Sequence, residues 1–114
     1  MTNEKPTIAI DFDGVLNNYT KYDKDDLGTP RHNVKRFLQI LHKDFHIIIF
    51  SVRRYSKIIV WLNKHGLIEY IDNVTSYKPR ARLYLDDRGV NFNGDYDKAL
   101  KDIYNFKTYW EKSS

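Results

Sequence analysis

The sequence predicts an α/β fold, a three-layer Rossmann-like domain around a central parallel sheet. Three observations support this. The runs TIAID (7–11), FHIIIFS (45–51) and RLYLDD (82–87) are apolar, nearly continuous and too short for helices, as expected of strands buried on both faces of a parallel sheet. Stretches with helical apolar spacing follow each of the runs, which calls for right-handed crossovers and helices on both faces of the sheet. Finally, 114 residues suffice for one core and not for two, so 1–114 reads as a single domain.

The elements follow in order. After the first run, TPRHNVKRFLQILHKD places Val34, Phe37, Leu38 and Leu41 on one helical face. Thr29 is its expected N-cap and Pro30 its first helical residue, where a missing N–H costs nothing. After the second run, YSKIIVWLNKHG puts Ile58, Ile59 and Leu62 together, and Gly66 is the expected stop, since glycine accepts the left-handed conformation that ends helices. IEYIDNVTS suggests a short strand over 70–74. The tail DYDKALKDIYNFKTYW (95–110) carries Ala99, Leu100, Ile103 and Phe106 at helical spacing. Asn17 to Gly28 is the one long loop, and long loops in compact domains are often functional.

Composition excludes several classes. No apolar run approaches the ~20 residues of a membrane span, and polar Met1–Pro6 lacks the apolar core of a leader peptide. There is no cysteine, hence no disulfide and no thiolate zinc site. A cytoplasmic protein is expected, as a monomer or small homo-oligomer. The net charge of +4 is mildly basic and scattered. It describes a solvated surface or a modest attraction for anionic substrates, nucleic acid among them. Dedicated nucleic-acid readout is not indicated, for want of zinc-finger spacing, basic heptads or an RNP-type strand.

The chemistry gathers where the expected strands end. In an open parallel sheet, ligands bind beyond the carboxyl ends of the strands. The first run ends at Asp11 with Asp13 two residues on, the second at Ser51 followed by Arg53, and the third at Asp86 and Asp87, with Lys78 in the loop that feeds it. Four carboxylates crowded beside one lysine raise one another's pKa values. A hard divalent cation resolves this, and Mg²⁺ suits a site with few protein ligands and room for water and phosphate. Each motif alone has a plainer explanation: Asp-x-Asp-Gly and Asp-Asp-Arg-Gly are also turn sequences. Their joint occurrence, in order, at successive strand ends is what points to a site.

This set resembles the haloacid dehalogenase (HAD) superfamily of phosphohydrolases. DFDGV is similar to its first motif, FSVR to the second, YKP to the third and LYLDD to the fourth, together spanning Thr7 to Phe92. The spacing leaves no room for a cap domain, like that of small capless bacterial and phage members. The resemblance implies that Asp11 is a nucleophile forming an aspartyl-phosphate, and Asp13 the acid that protonates the leaving oxygen and then the base that activates water. It implies that Ser51 and Lys78 hold phosphoryl oxygens. Mg²⁺ would be bound by Asp11, the backbone carbonyl of Asp13 and an aspartate of the fourth motif, Asp86 directly or Asp87 through water. Arg53 is expected to bind substrate, although pairing with the acidic cluster is an alternative. The expected reaction is hydrolysis of a phosphate monoester. A macromolecular substrate such as a polynucleotide 3′-phosphate end, or a non-catalytic phosphate-binding module, is the alternative. Tyr19, Tyr22, Tyr55 and Tyr77 fall in loops near the site, where they could stack on a base or serve as amphipathic surface. The four histidines lack ligand spacing and read as surface or structural.

Overall fold

The computed structural model describes residues 5–18, 23, 25–85, 90 and 92–113, with side chains as far as 107. Its core is a four-stranded, all-parallel sheet in the order β3-β2-β1-β4, formed by β1 (Thr7–Asp11), β2 (His46–Phe50), β3 (Asn73–Thr75) and β4 (Leu83–Leu85). Helices α1 (Val34–His42), α2 (Tyr55–Lys64) and α3 (Tyr96–Ser113) complete the Rossmann-like α/β architecture that the sequence predicts, along with a short 3₁₀ turn at Ile68–Tyr70.

The register explains both faces of the sheet. Ile8 pairs with Ile47 and Leu83, and Ile10 with Ile49 and Leu85. Side chains alternate along a strand, so these residues share one face with Val74, the partner of Ile49. All are buried in a single apolar cluster with Phe37, Leu38 and Leu41 of α1, Ile58 and Leu62 of α2, and Ala99 and Ile103 of α3. The opposite face carries Ala9, Ile48, Phe50 and Tyr84, of which only Ala9 is fully buried. Its covering layer is the β3–β4 connection: the Tyr84 hydroxyl donates to the Pro79 carbonyl at 2.7 Å and accepts from the Ala81 N–H at 3.1 Å. The expectation of helices on both faces is therefore corrected. All three helices lie on one side, and the β3–β4 connection, thinner than a helix, makes the third layer.

Helix boundaries follow local chemistry. α1 begins at Val34 rather than at Pro30. Residues 29–31 instead run antiparallel to 16–18: Asn18 N–H bonds the Thr29 carbonyl at 2.8 Å, Arg31 N–H bonds the Leu16 carbonyl at 2.9 Å, and Asn17 bridges to Pro30. Backbone groups used this way cannot open a helix. α2 stops as expected. Gly66 has φ +70°, and the Leu67 and Gly66 amides return to the carbonyls of Leu62 and Asn63, the paired bonds of a Schellman ending. α3 is capped by Asp95, whose Oδ1 accepts the N–H groups of Asp97 and Lys98 at 3.0 and 3.1 Å. The short strand expected over 70–74 is displaced to 73–75 because residues 68–70 form the 3₁₀ turn. Among the described residues, no helix is long and apolar enough to cross a membrane.

Candidate active site at the carboxyl edge of the sheet

β1 is central, and its last residue is Asp11, level with Phe50 at the end of β2. Alternation places Asp11 on the face of Ala9 and Phe50. The chain then turns: Phe12 N–H bonds the Phe50 carbonyl at 3.2 Å, while the Phe12 ring is buried edge-on against Trp61 of α2. That anchor directs residues 13–14 back over the sheet edge. β2 continues into Ser51, whose N–H bonds the Thr75 carbonyl at 3.0 Å. Neighbouring strands lie about 4.8 Å apart, so the ends of β1, β2 and β3 form one short ledge carrying Asp11 and Ser51.

Two interactions build the loop above that ledge. Arg53 Nε donates to Asp13 Oδ1 at 2.9 Å, and its Nη1 donates to the Asp23 carbonyl at 2.6 Å. The Arg53 side chain is only 1% exposed and that of Asp13 20%. Asn17 is buried and works as a second brace. Its Oδ1 accepts the Gly14 N–H at 2.7 Å, and its Nδ2 donates to the Leu27 carbonyl at 2.7 Å and to Asp13 Oδ1 at 3.3 Å. Both of these contacts to Asp13 fall on Oδ1. Ser51 Oγ accepts the Arg53 N–H at 3.1 Å, which turns the chain so that Arg53 points inward and leaves the hydroxyl proton to donate.

The structure brings Asp11, Asp13, Ser51 and Arg53 to one edge, with Arg53 paired to Asp13. The side chain is buried and bonded to Asp13 and the Asp23 carbonyl, so it holds the Asp13 carboxylate in place. Pairing with the acidic cluster, the alternative considered from sequence, is what is observed. Lys78 lies over the outer face, its Nζ 4.5 Å from the centre of the Tyr84 ring and 6.0 Å from that of Phe50. Phe50 is level with Asp11, so this ammonium stands on the Asp11 side of the sheet. Asp86, Asp87 and Arg88, like Tyr19 and Tyr22, lie outside the described residues. Among the described residues, no group of three or more acidic or histidine side chains could hold a metal ion. Asp11 and the Asp13 carbonyl are hard oxygen donors of the type Mg²⁺ takes.

Asn17 was not anticipated from the sequence. An asparagine soon after a turn glycine signals only local hydrogen bonding, and its reach to Leu27 requires the loop to fold back. His46 and His65 have structural surroundings, as expected. His46 Nδ1 is 3.4 Å from Asp72, and the His65 ring packs edge-on against Trp61. Burial, and secondarily the Lys64 ammonium, hold the His65 imidazole below its usual pKa.

Comparison with known proteins places the fold. No family model matches the chain, and no curated protein matches it. Among solved structures, it is similar to that of a conserved protein encoded by a locus of Bacteroides thetaiotaomicron, with a TM-score of 0.70 and 24% identity over 97% of this chain and 99% of that one. The likeness is one of fold. It extends over nearly the full length of both chains.

Proposed function

We propose that this chain is a phosphohydrolase of the haloacid dehalogenase type, hydrolysing a phosphate monoester through an aspartyl-phosphate on Asp11. The observation that supports this reading best is the pair at the end of the central strand. Asp11 sits on the sheet ledge, and Asp13, two residues on, is held by a buried Arg53 that reaches across from the turn carrying Ser51. The guanidinium fixes one Asp13 oxygen across the loop and leaves Oδ2 without a bond to Arg53 or Asn17.

In this reading an Asp11 carboxylate oxygen attacks phosphorus and the bond from phosphorus to the ester oxygen breaks. Asp13 gives its proton to the departing oxygen through Oδ2, the oxygen not used by Arg53 and Asn17. Water then attacks the phosphorus, Asp13 takes its proton, and the bond to Asp11 breaks to release phosphate. The Ser51 hydroxyl and the Lys78 ammonium hold the phosphoryl oxygens. Mg²⁺, held by Asp11, the Asp13 carbonyl and an aspartate from Asp86 or Asp87, would neutralise the charge that spreads over the transferring group.

The test is hydrolysis of an aryl phosphate with and without Mg²⁺, for the wild type and for Asp11→Asn. Activity should require the ion and vanish in the variant while folding is retained. Turnover that survives both EDTA and Asp11→Asn would overturn the assignment.

A further inference from the structure

Two neighbouring strands end in turns of the same construction. Ser51, one step past β2, accepts the Arg53 N–H on its hydroxyl at 3.1 Å. Thr75, the last residue of β3, donates its hydroxyl to the Tyr77 carbonyl at 2.6 Å. A hydroxyl bonded to the backbone two residues on fixes a tight turn. The turns stand side by side, because Phe50 pairs with Thr75 and the Ser51 N–H bonds the Thr75 carbonyl at 3.0 Å.

Each turn presents an apolar side chain to water. Ser51 and Arg53 are buried, whereas Val52 between them is 84% exposed, and Tyr77 is 68% exposed. A single apolar side chain on a surface needs no explanation. Here two occur on adjacent, hydroxyl-fixed turns at the edge that carries Asp11. Val52 is one step from Ser51 and Tyr77 two from Thr75, so at ~3.8 Å per step their Cα atoms lie no more than ~17 Å apart. No aspartate or glutamate occurs from His46 to Leu67 or from Asn73 to Leu85, so neither turn carries a charge that would repel a phosphate ester.

We propose that Val52 and Tyr77 form an apolar subsite for the alcohol half of the substrate, which is a small phosphate monoester of an aromatic alcohol. The subsite deepens the phosphohydrolase reading and rests on it for the position of the phosphate. Val52 adjoins Arg53, whose guanidinium holds Asp13, so an ester oxygen at Asp13 starts within about one side-chain length of the Val52 turn. A flat ring is the group that can lie against an aliphatic side chain on one side and a phenol ring on the other. Because both turns are already fixed, covering them costs little further ordering.

The experiment compares benzylphosphonate with ethylphosphonate by titration calorimetry in Mg²⁺ buffer. In both a methylene replaces the ester oxygen, so leaving-group chemistry does not enter. Covering the ring should make benzylphosphonate bind ~10-fold more tightly. Val52→Thr, which keeps the shape and adds a hydroxyl, should lower that ratio ~3-fold, and Tyr77→Ser ~5-fold. A variant that weakens both ligands alike and keeps the ratio would assign its side chain to the fold and overturn the subsite. A wild-type ratio near one, with hydrolysis that needs Mg²⁺ and Asp11, would overturn the subsite and leave the phosphohydrolase reading standing. A ratio that the variants erase, in a protein inert toward aryl phosphates, would uphold the subsite and count against the hydrolase. Tighter binding of a 3′-phosphorylated oligonucleotide than of benzylphosphonate, unchanged in both variants, would overturn the subsite in favour of a polynucleotide. Failure to bind either phosphonate would overturn it outright.

Discussion

Removing the guanidinium of Arg53 should destabilise the fold as well as disturb the site, and Arg53→Met shows why. The substitution keeps much of the buried stem but leaves Asp13 Oδ1 with only the 3.3 Å contact to Asn17. Breaking a fully buried ion pair by deleting one partner costs ~3–5 kcal/mol. Asp13 is 20% exposed and Asp23 lies on the surface, so water recovers part of that cost, and ~2–3 kcal/mol is the expected loss. At ~4 °C per kcal/mol for a domain of this size, the melting temperature should fall by ~10 °C. Asp13→Asn alone leaves the guanidinium its bond to the Asp23 carbonyl but removes the facing charge, and should cost no more than that. The double variant Asp13→Asn/Arg53→Met should lose much less than the sum, with a coupling of ~2 kcal/mol. Arg53→Lys should not rescue, because an ammonium lacks the fork that serves Asp13 and the Asp23 carbonyl together. Urea denaturation of the four species gives the cycle directly. A coupling below ~0.5 kcal/mol, within the range of independent sites, would show that the pair does not hold the loop.

Asp13→Asn should slow hydrolysis of alkyl or poorly activated aryl phosphates by ~10²–10⁴-fold and much less for esters with acidic leaving groups, which depart without a proton; equal losses across a leaving-group series would assign Asp13 to turn formation alone. Gly28→Ala should cost more than ~2 kcal/mol: φ is +75° and the new methyl would sit 2.9 Å from the Asn18 carbonyl oxygen, adding backbone collision to the ~1–2 kcal/mol of left-handed strain. A thermal melt reads it, and an unchanged midpoint would refute it. For His65, the folded pKa lies below the unfolded value of about 6.5, so the unfolded chain takes up the proton first. Its contribution to stability is complete above about pH 6.5 and declines as pH falls through 6.5 toward the folded value. Urea midpoints at about pH 7.5 and 5.5 should therefore differ less in His65→Gln than in the wild type.

The positions of Asp11 and Ser51 could be read from the chain because each lies at or just past the end of an apolar run, and where a run stops is a local property. The same holds for the ending of α2 at Gly66, where the left-handed turn needs only neighbouring residues. The start of α1 could not be read in this way. Thr29-Pro30 is a sound local helix start, but its backbone is claimed by the antiparallel pairing with Leu16–Asn18, a competitor that exists only once the loop folds back.

The sequence by itself determined the α/β class, the parallel strands and the residues that would stand at their carboxyl ends, because hydrophobic periodicity and strand termination are encoded within short windows. It could not determine strand order. The order β3-β2-β1-β4 sends the β3–β4 connection across the outer face, where it covers Tyr84. Nor could it pair Arg53 with Asp13. Residues 40 apart in the chain meet only because β1 and β2 are neighbours, and a guanidinium that could have faced substrate is instead enclosed by the loop it supports. Tertiary structure decided both, since strand adjacency and burial are properties of the assembled sheet and not of any segment within it.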